Sequence, residues 1–82
     1  MKILEVKTLA LPEIKIIKYA RFADERGYFT ETFNRSSLNN HPETSFLKEY
    51  EFVQCNESHS QPNVIRGLHF QYNPKMGKLV RP

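Results

Sequence analysis

The chain is written in short β-rich segments, broken at close intervals by turn-forming residues. "KILEVKT" and "EIKIIKY" lie on either side of "LALP", where Pro12 marks a break in any strand ladder. "ADERG" is polar and closes on Gly27, a turn signal, and "YFTETFN" then alternates aromatic and β-branched residues with polar ones. "EFVQCNE", "VIRGLHFQY" and "KLVRP" follow as further predicted strands, separated by "SHSQPN" and "NPKMG". Short strands with turns between them can satisfy their backbone groups only by pairing with neighbours. The expected architecture is therefore an antiparallel sandwich or barrel.

One stretch lacks strand character. In "RSSLNNHPETSFLKEY", Ser36 can cap a short turn of helix and Pro42 breaks it. Thr44 or Ser45 can then start a second short turn. No internal repeat or low-complexity segment is present.

With 82 residues the chain has room for one small domain and one modest core. An apolar share of 39% with 26% charged residues reads as a globular chain. No apolar run approaches the ~20 residues of a membrane-spanning helix. Glu5 and Glu13 interrupt the apolar N-terminal region, unlike a signal peptide, so a cytoplasmic location is expected. The net charge of +3 is spread along the chain, which suits either an ordinary solvated surface or an anionic ligand. No basic cluster with interleaved aromatics points to nucleic acid. The single cysteine, Cys55, leaves no intrachain disulfide and reads as a small, buried apolar residue. His41, His59 and His69 match no metal-ligand spacing, and no metal is expected.

Period-two alternation sorts the polar residues within the predicted strands. In "YFTETFN", Glu31 shares a face with Phe29 and Phe33. There it is either an edge-strand carboxylate reaching water or one that binds something. Gln54 and Asn56 share a face with Phe52, opposite Val53 and Cys55. Two amides in line form either a solvent-facing side or a polar cavity wall. Strict alternation puts Arg66 and His69 on opposite faces of "VIRGLHFQY". If both serve one pocket, the strand must bend between them, and Gly67 is the natural place. Taken alone, His69 reads more readily as a packed or surface residue than as a catalyst.

The combination is more specific than its parts. "ADERGYFTETFN", "FVQCNESHSQPNVIRGLHFQ" and "GKLVR" occur in that order, with "Q-x-N-x-S-x-S" upstream of "RGLHFQ". Together, over about Ile14 to Arg81, they closely resemble the dTDP-4-dehydrorhamnose 3,5-epimerase family. The resemblance implies an all-β cupin jelly roll, here its N-terminal strands with one or two short helical turns. It makes residues 1–82 a partial single domain. It also implies a homodimer whose N-terminal strands pair across the interface, with no cofactor or metal and no nucleic-acid or membrane partner. The implied substrate is a thymidine-diphosphate-linked 4-keto-6-deoxy sugar, inverted at carbons 3 and 5.

That chemistry explains the residue types. Removing a proton beside a ketone calls for a base that titrates near neutrality, and His69 matches the family base. The resulting enolate needs a fixed cation at its oxygen, and Lys78 of "GKLVR" matches that position. Arg66 matches a substrate-binding arginine. Arg26 of "DERG" matches a contact to the nucleotide portion, where a planar guanidinium suits phosphate oxygens. Glu31, Gln54 and Asn56 match further substrate contacts, and Tyr28 offers a stacking surface for thymine. His59 of "ESHSQ" falls where the family pattern is serine-rich.

The family protein is roughly twice this length. Its second half supplies the remaining strands, a tyrosine that acts as opposing acid, a further histidine and an aspartate that orients the base. Tyr19, Tyr28, Tyr50 and Tyr72 do not stand in that tyrosine's context. The resemblance thus identifies an N-terminal half, inactive by itself. A non-catalytic nucleotide-sugar-binding or subunit-interaction module is the alternative. An epimerase acting at one carbon, or on another nucleotide sugar, is a third reading.

Overall fold

The computed structural model describes residues 1–82 and contains two small antiparallel sheets, each a hairpin. Strands β1 (Ile3–Thr8) and β2 (Lys15–Tyr19) form the first. The connection is tightened by the Leu9 amide donating to the Ile14 carbonyl at 3.0 Å and the Ile14 amide donating to the Leu11 carbonyl at 2.9 Å. A register shift between Ile3 and Glu5 has a clear effect on the side chains. Ile3 and Val6 are three apart and would alternate to opposite faces. The extra residue returns both to one side, where Ile3 pairs with Tyr19 and Val6 with Ile17, and all four are half-buried. Glu5 and Lys18, paired directly across the strands, form an exposed ion pair at 3.4 Å.

The second hairpin joins β3 (Phe22–Asp24) to β4 (Gly27–Phe29) through a two-residue turn, Glu25–Arg26. Gly27 sits at φ 129°, a region that side-chain-bearing residues avoid, so the glycine is required there. Asp24 accepts from the Arg26 amide at 2.8 Å, as acidic turn residues do. The predicted strand "YFTETFN" therefore ends at Phe29. Beyond it the Thr30 hydroxyl donates to the Ala20 carbonyl at 2.7 Å.

Helix α1 (Arg35–Asn40) is capped by Asn34, whose side chain accepts from the Ser37 amide at 3.0 Å. The cap lies two residues ahead of the expected Ser36. After Pro42 a 3₁₀ turn runs over Ser45–Glu49. The Thr44 hydroxyl donates to the Leu38 carbonyl at 2.6 Å, satisfying an acceptor at the end of α1. Leu38 and Thr44 are the two fully buried residues of the chain. Around them Phe33 packs edge-to-face on Phe52 with ring centres 5.8 Å apart.

Residues 50–82 contain no helix or strand, and all of them are exposed. The predicted strands "EFVQCNE", "VIRGLHFQY" and "KLVRP" do not form. Strand preference measures how well a residue suits a half-buried, paired surface. No other segment of the 82 residues lies alongside these three to complete a ladder. The consequence is an open molecule. The radius of gyration is 15.1 Å, against roughly 12 Å for a compact chain of this length. The accessible surface is 7996 Å², against roughly 5,100 Å² for a compact protein of 9.7 kDa. Leu68 and Phe70, inside "RGLHFQ", are 104% and 87% exposed.

The class of the fold is all-β with little helix, as expected for a truncated cupin-like chain. No helix is long and apolar enough to cross a membrane.

Candidate functional site

The expected site residues fall into two groups. Arg26, Tyr28 and Glu31 lie on or just after the β3–β4 hairpin, where local turn chemistry fixes the backbone. Gln54, Asn56, Arg66, His69 and Lys78 lie in the irregular segment. No hydrogen bond, ion pair or ring contact joins the first group to the second.

Arg26 stands at the tip of the hairpin. Its Nη2 donates to Asp24 Oδ2 at 2.6 Å and its Nε donates to the same oxygen at 3.2 Å. The two-point contact from the guanidinium, helped by the Arg26 amide, holds the Asp24 carboxyl below the usual aspartate range. The same contact raises the Arg26 guanidinium above its ordinary value. Both groups are solvent-facing, so the pair sets local geometry more than it stabilises the fold.

Tyr28 is 59% exposed, and the guanidinium of Arg21 lies over its ring, 4.1 Å from the centroid. Arg21 was not among the residues expected from sequence. Its signal is positional: two residues before Ala23, it falls on the same face of the hairpin as Tyr28, which pairs with Ala23.

Glu31 is half-buried and accepts from the Met1 ammonium. That contact, and then the Asn34 side chain, hold its carboxyl below the usual glutamate range. The shared strand face expected for Phe29, Glu31 and Phe33 is absent, because the strand ends before Glu31.

In the second group Arg66 is anchored. Its Nε donates to Ser60 Oγ at 2.6 Å and its Nη2 donates to the His59 carbonyl at 3.1 Å. Gly67 has φ 141°, but the flanking residues are not a strand, so there is no alternation for it to break. His69 and Lys78 are exposed, as are Gln54 and Asn56. Cys55 between them is exposed rather than buried as expected, because the strand that would have enclosed it does not form. A cavity of about 70 Å³ lies elsewhere, among Phe33, Leu38, Leu47, Tyr50 and Phe52, and none of the expected site residues lines it. No three histidine, cysteine or acidic side chains gather in one place.

What this arrangement offers chemically is a set of anion- and base-binding groups: two guanidiniums held by their own neighbours, and an aromatic ring with one face covered. A family model described as dTDP-4-dehydrorhamnose 3,5-epimerase matches residues 8–82. A protein of that name from Salmonella typhimurium is 43% identical over 77 residues, covering 93% of this chain and 39% of the relative. One from Methanothermobacter thermautotrophicus is 48% identical over 66 residues, 80% of this chain and 33% of the relative. One from Escherichia coli is 40% identical over 72 residues, 87% of this chain and 37% of the relative. The chain thus spans about two fifths or less of the length of the curated relatives it matches. No solved structure matches it.

Proposed function

The chain belongs to the dTDP-4-dehydrorhamnose 3,5-epimerase family, and from that membership we propose that it is the N-terminal part of an isomerase of dTDP-linked 4-keto-6-deoxy sugars. The observation that carries the reading is the unbroken match over residues 8–82, which takes in all three motif stretches. In this reading His69 removes the proton beside the ketone. Imidazole titrates near neutrality, so it can take the proton from one face of the sugar. Inversion requires the new proton to arrive on the opposite face, from an acid in the family's second half. Lys78 holds the charge that develops on the ketone oxygen. Arg26 and Arg66 bind the diphosphate, Tyr28 the thymine, and Glu31, Gln54 and Asn56 the sugar.

Turnover in this reading also needs the strand-rich second half of the family fold, which would bring the irregular segment against the β3–β4 hairpin. Exposed apolar side chains at Ile65, Leu68 and Phe70 support such a covering layer. A cytoplasmic homodimer is part of the same proposal. Each strand of the β1–β2 hairpin has one unpaired edge, and pairing with a second copy would satisfy it.

A second reading, a nucleotide-sugar-binding module without catalysis, is favoured by one observation. No hydrogen bond or ion pair engages His69 or Lys78, whereas Arg26 and Arg66 are both held. Incubation with the 4-keto sugar nucleotide in deuterium oxide separates the readings. A chain extended through the second half of the family fold incorporates deuterium at carbons 3 and 5 if the isomerase reading holds. Incorporation at one carbon indicates a single-site epimerase. Saturable binding with no incorporation indicates the module.

A further inference from the structure

Arg21 and Tyr28 meet on one face of the β3–β4 hairpin. Ala23, which pairs with Tyr28, has a small side chain. It leaves the ring room to lean toward the diagonal position, and that position is where Arg21 stands. The guanidinium 4.1 Å from the ring centroid lies well within the range of a cation–π contact. Arg21 also differs from Arg26 in its charge environment. Arg26 is paired with Asp24, whereas Arg21 forms no ion pair. Nothing competes with the ring for its cation.

We propose that Arg21 is a positioning residue for nucleobase recognition. It covers one face of the Tyr28 ring and holds the ring in a single orientation, so that a planar base stacks on the opposite face. This rests on the reading of Tyr28 as the thymine-stacking residue. The physical gain is preorganisation. A tyrosine on an exposed two-strand hairpin is free to change rotamer, and stacking a base on it costs that freedom. A guanidinium already seated on the ring removes the cost before the ligand arrives. The role is carried through Tyr28 and requires no contact between Arg21 and the ligand.

The test is an NMR titration of the 82-residue protein, following the Tyr28 ring signals, with thymidine diphosphate and separately with thymidine. Arg21→Gln is expected to weaken both ligands by the same factor, about two- to fivefold, the range an exposed cation–π contact supports. Arg21→Lys, which keeps a cation over the ring, is expected to restore most of the loss. On a Tyr28→Ala background, Arg21→Gln is expected to change neither affinity. The proposal is overturned if the loss is confined to the diphosphate, which would make Arg21 a phosphate contact. It is equally overturned if the loss persists without the Tyr28 ring, or if wild type binds and Arg21→Gln binds as well. The last result leaves the proposed function standing. Absence of saturable binding by the wild type overturns the role of Arg21 on this hairpin, whereas the isomerase reading, which needs the family's second half, stands or falls on deuterium incorporation by the extended chain.

Discussion

Arg66 reaches back across six residues to Ser60, donating through Nε to the serine hydroxyl at 2.6 Å and through Nη2 to the neighbouring His59 carbonyl at 3.1 Å. A guanidinium has five N–H donors in a fixed plane, and this clasp occupies two of them. The others remain available to a ligand. The clasp therefore orders the "SHSQPN" loop and aims Arg66 at the same time. Arg66→Lys keeps the charge but cannot make the two-point contact. We expect it to weaken binding of thymidine diphosphate about tenfold, and to speed exchange of the Val64 amide, which donates to the Gln61 carbonyl at 3.3 Å. Calorimetry and hydrogen exchange on the same sample check both effects.

The Asp24–Arg26 pair gives a pH dependence with a definite sign. The folded pKa of Asp24 is depressed, chiefly by the Arg26 side chain. Its contribution to the turn is present above the unfolded aspartate value and is lost as pH falls through the lower folded value. Arg26→Gln should move the Asp24 titration midpoint upward toward the ordinary aspartate range. An NMR titration of the Asp24 carboxyl measures this, and an unchanged midpoint would assign the depression to another group.

Leu38 and Thr44 hold α1 against the 3₁₀ turn with almost no other burial to support them. Leu38→Ala should cost about 2–3 kcal/mol, at the low end for a buried leucine because so small and open a core can collapse around the shorter side chain. In so small a core that loss should melt α1, seen as lost helical ellipticity and lost protection of the His41 amide. Thr44→Val keeps the shape and leaves the Leu38 carbonyl without its side-chain donor, at a cost of about 1 kcal/mol.

How much could be read from the sequence depended on how local the determining interaction was. Pro12 and Gly27 mark the two hairpin turns, because each loop closes on its own residues, but strand β3 at Phe22–Asp24 is not anticipated, since "ADERG" reads as a polar turn. Pro42 ended the helix for the same reason. The cap was misplaced because Ser36 and Asn34 are both good capping residues, and φ at Asn34, −150°, puts it just outside the helix. The strands at "EFVQCNE", "VIRGLHFQY" and "KLVRP" were misjudged for a different reason. Alternation reports a readiness to pair, whereas a strand exists only beside another strand. The same limit applies to the site. The motif strings disclosed the residue types and the family, while the mutual placement of the hairpin group and the irregular group depends on contacts that these 82 residues do not make with one another. Arg21 went unnoticed because its partner is identified by hairpin register, which no motif encodes.

His69 carries the central claim, and solvent-deuterium incorporation tests it most directly. The measurement compares a chain extended through the family's second half with its His69→Asn variant, using the 4-keto sugar nucleotide in deuterium oxide. Asparagine keeps the approximate size and hydrogen-bonding capacity of the side chain but cannot serve as the base. The account predicts that incorporation beside the ketone falls about 10²- to 10⁴-fold, the usual contribution of one acid–base group. Affinity for thymidine diphosphate should change little. Deuterium incorporation at the unmodified rate in His69→Asn would contradict the account and require a different base.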